Sequence, residues 1–231
     1  MADNLTQPAT GYRYSLDPFL LADFVTSCVP PSKVSRAVDL GTGNGILVAL
    51  LAKSYPATPF VGIDIRKSGL SHARGNAPHA LFINADIRAA GALFPPGAFG
   101  LAVSNPPYRK AGDGRTNPDI DKAVARHEVA LTLDELISSA YCLLRDGGVF
   151  CVVHLAERSA ELMHFLHQRD FAPRTVRYAQ SREGDDAFLV LVEAVKGGRN
   201  RVAVKPPLVV YASDGAYTAA MTAIYGKFDA L

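Results

Sequence analysis

Short apolar runs alternate with amphipathic segments from residue 37 to residue 195. The runs are rich in β-branched and aromatic residues and are bounded by turn-forming residues, which is typical of buried strands. The segments between them repeat apolar positions at helical spacing. Strands are expected at 37–40, 60–64, 80–84, 100–104, 149–155, 175–179 and 188–195. Helices are expected at 17–29, 46–55, 68–76, 133–144 and 160–169.

The fourth helix carries recognisable signals at both ends. Thr132 and Glu135 form a capping box at its start, and Gly147 and Gly148 are expected to end it. Alternation of strands with helices predicts an α/β fold: a seven-stranded, mostly parallel sheet with helices on both faces. We expect one domain over 1–231, in which segment 1–36 covers cofactor and substrate, 37–195 form the catalytic core, and 196–231 are a basic extension.

Composition is that of an ordinary globular protein. The chain has 231 residues, of which 48% are hydrophobic and 20% are charged. The net charge of +2 excludes a strongly basic coat for nucleic acid. The tail 196–231 nevertheless holds five basic residues against two acidic ones. A local basic patch is therefore expected there, with Arg199, Arg201 and Lys205 as candidate phosphate contacts.

Cysteine usage and targeting patterns bear on the compartment. The three cysteines include no CxxC pair, which argues against a disulfide framework or a zinc site, and the histidines show no ligand spacing. No apolar run approaches the roughly 18 residues that span a bilayer, and the first ten residues lack the plan of a signal peptide. We expect a reduced cytoplasmic protein without a bound metal or a membrane partner.

A glycine-rich turn joins the first strand of the core to its helix. Gly41, Gly43 and Gly45 leave the backbone bare for a ligand, and the helix behind them offers unpaired N–H groups to an anion. A tight structural turn is the alternative reading. The spacing is G-x-G-x-G, with Ile46 where the dinucleotide fingerprint has its third glycine.

Three acids follow or precede this turn at the ends of successive strands. Asp39 precedes the first glycine, and Asp64 closes the second strand, where a carboxylate accepts ribose hydroxyls. Asp86 follows the third strand and either accepts from an adenine amino group or serves as a solvated loop residue or helix N-cap. The combination fits S-adenosylmethionine better than NAD. The expected cofactor contacts from this region are Asp39, Gly41, Thr42, Gly43, Asn44, Gly45, Asp64, Ile65, Asp86 and Ile87.

The tetrapeptide Asn105-Pro106-Pro107-Tyr108 follows the fourth strand and is the expected catalytic motif. Two prolines fix the backbone and remove donors, so the Asn105 side-chain oxygen and the Pro106 carbonyl remain as rigid acceptors. Two such acceptors grip a planar NH₂ group and aim its nitrogen at an electrophile. Tyr108 offers a face on which a planar substrate stacks. A Pro-Pro turn with an Asx cap is the structural alternative.

The glycine-rich turn at 39–45 and the tetrapeptide at 105–108 together resemble the class I S-adenosylmethionine-dependent amino-methyltransferases. Segments 11–17 and 205–226 narrow the resemblance to the bacterial tRNA(Val) adenine-N6-methyltransferases, which modify the adenine beside the anticodon. It covers nearly the whole chain and implies a Rossmann-like class I methyltransferase fold, S-adenosylmethionine as cofactor and tRNA as partner. It also implies that Asn105 contacts the cofactor and that Tyr14 and Ser15 lie near it.

Several alternatives remain at this stage. The acceptor could instead be a protein glutamine amide or guanine N2 of rRNA, and an NAD-dependent oxidoreductase is the rival of another class. The loop after Tyr108 begins with Arg109 and Lys110, which are expected to contact substrate phosphates or to be a solvated loop. The particular tRNA and the oligomeric state stay open.

Overall fold

The computed structural model describes residues 16–107, 131–199 and 201–228. Its strands are β1 Ala37–Leu40, β2 Phe60–Asp64, β3 Leu81–Asn84, β4 Phe99–Ser104, β5 Leu144–Leu155, β6 Phe171–Gln180, β7 Ala187–Lys196 and β8 Ala203–Val209. Its helices are α1 Asp17–Cys28, α2 Ile46–Ser54, α3 Lys67–Asn76, α4 Ala90–Leu93, α5 Leu133–Leu143, α6 Ser159–Gln168 and α7 Ala219–Phe228, with short 3₁₀ turns at Pro31–Lys33, Ile87–Ala89 and Ala156–Arg158.

All eight strands join one sheet in the order β3-β2-β1-β4-β5-β7-β6-β8. Only β7 runs antiparallel to its neighbours among these strands, and β8 pairs in parallel with β6. The α/β class and the mostly parallel sheet are confirmed, but the expected count of seven strands is wrong. The eighth strand contains Pro206 and Pro207, which break a strand pattern in sequence yet are tolerated at a sheet edge.

The sheet separates two apolar cores because successive residues of a strand point to opposite faces. Leu101 and Val103 of β4 face one core, and Ala102 between them faces the other. Helices α1, α2, α3 and α7 contribute to the first core, and α4, α5 and α6 contribute to the second. Helices therefore cover both faces, as expected. No helix in the three described ranges is long and apolar enough to cross a bilayer.

The end of α5 lies within one residue of the expected position 144, but the expected stop signal is wrong. The capping box at Thr132 and Glu135 is present, and the helix ends at Leu143, before Gly147 and Gly148 are reached. Lys196 binds this end instead, because its Nζ donates to the carbonyls of Tyr141 and Leu144 at 2.9 and 2.8 Å. A cation at a helix C-terminus satisfies its last carbonyls. The two glycines lie inside β5, where the pairing with β4 shifts register.

Candidate cofactor and active site

The glycine turn and the Asn-Pro-Pro segment meet where the strand order reverses. β1 lies between β2 and β4, so the loops after β1 and β4 leave the same edge of the sheet side by side. Open α/β sheets bind ligands at such a point. The Ser104 hydroxyl donates to the Leu40 carbonyl at 2.7 Å and ties the ends of β1 and β4 together. Asn105 therefore follows a fixed point one strand away from Gly41.

All three glycines of the turn adopt positive φ, at +82°, +55° and +73° for Gly41, Gly43 and Gly45. Their conformation favours glycine, so the turn is specified by residue type. At Gly45 a Cβ atom would also lie 2.8 Å from the Cα of Ala73 on α3. The expected bare backbone is thus present, and α3 packs directly against it.

Two further glycines allow the glycine turn to pack closely against α3 and β2. A Cβ on Gly69 of α3 would lie 2.6 Å from the Gly43 carbonyl oxygen, and a Cβ on Gly62 of β2 would lie 2.7 Å from the Thr42 hydroxyl. Real Cβ contacts at these distances essentially never occur, so both positions must lack a side chain. Neither glycine was singled out from sequence. A glycine inside the strand pattern 60–64 was the available signal for a close approach.

Asp39 is buried at the end of β1 with 1% of its surface exposed. Neither carboxylate oxygen has a hydrogen-bond partner within the described part of the chain, and neither does the hydroxyl of Thr42. Burial raises the pKa of Asp39 to about 7; the nearby Thr42 hydroxyl counteracts it, and the charge of Asp64 adds to it. A buried acid without a partner is costly. It suits a ligand that brings a cation.

Asp64 is also buried, but its carboxylate is partnered. Oδ2 accepts from the Gly43 backbone N–H at 2.8 Å, and Oδ1 accepts from the Arg66 backbone N–H at 2.7 Å. These bonds join the end of β2 to the glycine turn. Each carboxylate oxygen has more than one acceptor site, so capacity remains for the expected ribose hydroxyls. Ile65, which follows, is half exposed.

Asp86 serves as an N-cap, which is the alternative that the sequence offered to a cofactor contact. It caps the 3₁₀ turn Ile87–Ala89 by accepting from the Arg88 backbone N–H at 2.9 Å, and it pairs with the Arg88 guanidinium. These contacts with Arg88 hold the pKa of Asp86 below its usual range. Ile87 is buried next to the glycine turn. A side chain at Gly41 would place its Cβ 3.9 Å from the Cδ1 of Ile87. The adenine contact of Asp86 stays a prediction.

The loop after β3 is held to the loop after β2 by a residue that sequence reasoning missed. The Asn84 side chain donates from Nδ2 to the carbonyls of Asp64 and Ile65, at 3.0 and 2.8 Å. Its place at the end of a strand was the only available signal. In the turn itself, the Asn44 carbonyl accepts from the Asn76 side chain at 3.0 Å. Asn44 therefore contributes its backbone to the packing of α3.

The Asn-Pro-Pro segment begins immediately after β4. Asn105 is half-buried, Pro106 is buried and Pro107 is exposed. Tyr108, Arg109 and Lys110 lie outside the described residues, as do Tyr14 and Ser15 at the other end of the chain. The placement of Asn105 and Pro106 at the switch point agrees with the expected edge of the sheet. Their contact with a substrate stays a prediction.

Metal binding finds no support in the part of the chain that the structure describes. No three His, Cys, Asp or Glu side chains within it are grouped as a metal ion requires.

Known proteins show the same architecture. A family model described as a methyltransferase domain matches residues 31–185. A tRNA1(Val) (adenine(37)-N6)-methyltransferase of Porphyromonas gingivalis is 29% identical over 69% of this chain and 65% of its own length. The chain thus spans slightly less than two thirds of that relative. A release factor glutamine methyltransferase of Aliivibrio fischeri is 28% identical over 64% of this chain and 55% of its own length.

A solved structure extends the likeness over most of the chain. The crystal structure of Atu636 from Agrobacterium tumefaciens, described as a predicted O-methyltransferase, covers 91% of this chain and 96% of its own with a TM-score of 0.71. At 22% identity it bears on the fold alone. The methyltransferase domain implies S-adenosylmethionine as cofactor, and the orphaned acid and bare glycine turn fit that molecule. With a matching model over two thirds of its length, the chain belongs to the methyltransferase domain family.

Proposed function

We propose that this protein transfers a methyl group to an exocyclic amino group, and that the acceptor is adenine N6 in the anticodon loop of a tRNA. The position of Asn105 and Pro106 carries the proposal, because they follow β4 beside the glycine turn. The naming of the Porphyromonas gingivalis relative as a tRNA adenine-N6-methyltransferase supports the choice of acceptor. Membership of the family removes the NAD-dependent oxidoreductase alternative.

The residues of the turn would hold the cofactor through complementary charge and bare backbone. S-adenosylmethionine, when bound, supplies an electrophilic methyl group and carries an ammonium on its amino-acid end. The ionised Asp39 carboxylate would pair with that ammonium, which gives the buried acid the partner it lacks. Asp64 would accept from the ribose hydroxyls, while its bond to the Gly43 N–H keeps the turn in shape.

Asn105 and Pro106 would position the acceptor. The Asn105 side-chain oxygen and the Pro106 carbonyl each accept one N–H of the amino group, which holds its nitrogen lone pair toward the methyl group. As the N–C bond forms and the S–CH₃ bond breaks, with S-adenosylhomocysteine as the leaving group, these acceptors would stabilise the positive charge that develops on nitrogen, and one amino proton would then leave to solvent. No general base is required. Tyr108 would stack on the base.

A protein glutamine amide is the second candidate acceptor. Its planar NH₂ group suits the same two acceptors, and the Aliivibrio fischeri relative is named as a release factor glutamine methyltransferase. The two acceptors differ in what surrounds the amino group, which the described residues leave open. An assay must therefore offer both.

The deciding experiment incubates the protein with labelled S-adenosylmethionine and, in separate reactions, total tRNA, release factor and rRNA. Labelled products are digested to nucleosides or amino acids and identified. N6-methyladenosine from tRNA is the expected result. Label in glutamine or in N2-methylguanosine, or none in tRNA, would contradict the proposed acceptor.

Asn105→Ala tests the gripping role. Loss of one acceptor should lower kcat for methyl transfer by at least about 100-fold, because its contribution is made in the transition state. Cofactor affinity, measured by calorimetry, should stay within a few-fold. Leu81→Ala removes an exposed side chain at the start of β3 and should leave both quantities unchanged. An Asn105→Ala enzyme with normal kcat would show that this role is misassigned.

A further inference from the structure

Five basic residues lie on β6, on β8 and on the segment between β7 and β8, at the β8 edge of the sheet. Arg177 of β6 and Lys205 of β8 occupy paired positions, although like charges directly opposite each other destabilise a sheet. Arg174 lies nearer the start of β6, and Arg199 and Arg201 precede β8. Arg177 is half-buried and the other four are exposed. We call these five residues the basic edge.

In the part of the chain that the structure describes, the basic edge has no acidic ion-pair partner. None of its five cations forms an ion pair within residues 16–107, 131–199 and 201–228. Arg177 donates from Nε to the Pro206 carbonyl at 3.2 Å, so a neutral group holds its guanidinium and leaves the charge uncompensated. Other basic residues of the described chain, such as Lys33, Lys53 and Lys67, also form no ion pair within it, so the basic edge is distinguished by its two cations at paired strand positions rather than by the lack of ion pairs alone.

Few acids lie on the strands of the basic edge itself. Asp170 precedes β6 and Glu193 pairs with Thr175, while the acids at 183–186 lie in the turn beyond the far end of β6. Pro206 and Pro207 lack backbone donors, so β8 is a poor template for a further strand. The edge is thus suited to recognition by side chains rather than by strand addition.

Strand register relates the basic edge to the active site. One row of paired residues crosses the sheet through Ser104, Val152, Val192, Val176 and Val204. Asn105 and Lys205 are the next residues on the first and last strands of this row. Four strand spacings separate them, which is about 19 Å. At the rise of about 3.4 Å per nucleotide of a stacked B-form strand, the distance corresponds to roughly five or six nucleotides.

We propose that the basic edge binds backbone phosphates of the RNA about five or six nucleotides away from the target adenine. This rests on the proposed tRNA substrate and assigns it a second point of attachment. Four of the five cations are arginines, whose planar fork matches two phosphate oxygens. RNA is favoured over an acidic protein because a nucleotide chain that enters the site beside Asn105 continues away from it with one phosphate per nucleotide.

The test removes two of these charges. Binding of total tRNA to wild type and to the Arg177→Gln/Lys205→Gln double variant is measured by filter binding over a series of salt concentrations. Each lost phosphate contact should reduce the slope of log affinity against log salt by about 0.7 to 0.9, so the double variant loses about 1.4 to 1.8. Its affinity at moderate salt should fall at least about 10-fold. Lys33→Gln/Lys53→Gln removes the same charge near the opposite ends of the strands and is the matched control.

Two readouts separate this proposal from the proposed function. With saturating tRNA, kcat of the double variant should equal that of wild type, because the reacting atoms are untouched. If wild type methylates tRNA and both double variants bind it with the same slope, the basic edge has no role and the function stands. If tRNA binding depends on the edge but no N6-methyladenosine forms, the surface stands and the function fails. Tighter binding of an acidic protein than of tRNA would overturn the surface's assignment.

Discussion

Two regions of the described chain hold charged side chains without a partner of opposite sign within it. At the switch point, one acid, Asp39, is almost completely buried. At the β8 edge, five bases lie mostly in solvent. The same lack of a partner has different consequences. Burial makes the lone acid costly and shifts its pKa, whereas water and salt screen the bases. Stability and ligand binding at the first region should therefore depend on pH and on small substitutions. At the second region they should depend on ionic strength.

The largest expected effect is on the pH dependence of stability at Asp39. Its pKa of about 7 in the folded state lies about three units above the usual value, so the folded chain retains a proton that the unfolded chain loses. The associated stability is complete below about pH 4 and is lost as pH rises to about 7, a change of about 4 kcal/mol.

Asp39→Asn removes this titration. Urea unfolding is measured without cofactor at about pH 4, 6 and 8. The free energy of unfolding of the variant should rise relative to that of wild type as pH rises. The difference between the two proteins is the quantity to follow, because other groups titrate equally in both. A difference that is constant across this range would show that Asp39 is ionised in the folded state throughout.

Close packing at the switch point gives the next effect. Gly69→Ala places a Cβ 2.6 Å from the Gly43 carbonyl oxygen, so the turn or α3 must shift. A loss of about 1–3 kcal/mol of unfolding free energy is expected, despite the better helix propensity of alanine. Gly226→Ala on α7 is the control, since nothing lies within 4 Å of its Cβ position. It should stabilise the protein by up to about 1 kcal/mol. Equal effects of the two substitutions would show that Gly69 is under no packing constraint.

The next effect is on cofactor affinity, whose binding free energy should change by about 1.4 kcal/mol for each pH unit. If the ammonium of S-adenosylmethionine pairs with ionised Asp39, binding below pH 7 must displace a proton. Wild-type affinity should then fall about tenfold for each pH unit below about 7, while Asp39→Asn should bind weakly and without this dependence. Calorimetry in buffers of different ionisation enthalpy would detect the released proton. Binding without proton release at about pH 6 would place the ammonium elsewhere.

The two regions also differed in how far sequence predicted them. Strands β1 to β4 and the glycine turn were predicted because local signals specify them: buried runs, glycines at positive φ and acids at strand ends. β8 was missed because Pro206 and Pro207 break its pattern, and only its edge position makes them tolerable. Gly69 and Ser104 were missed since each acts on a residue distant in sequence, as with the Ser104 bond to Leu40 across 64 positions.

The smallest effect is expected at the basic edge. Lys205→Gln should change the unfolding free energy by less than about 0.5 kcal/mol, because exposed charges contribute little to stability. The substitution should stabilise the fold, since it removes the repulsion between Lys205 and Arg177 on the paired strand. The gain should be visible at about 0.01 M salt and vanish at about 1 M, where the screening length falls from about 30 to 3 Å. A loss above about 1 kcal/mol would mean that an acid stabilises Lys205, and the β8 edge would then resemble the ion-paired sites of Arg88, Arg158 and Arg169 rather than a surface that attracts a polyanion.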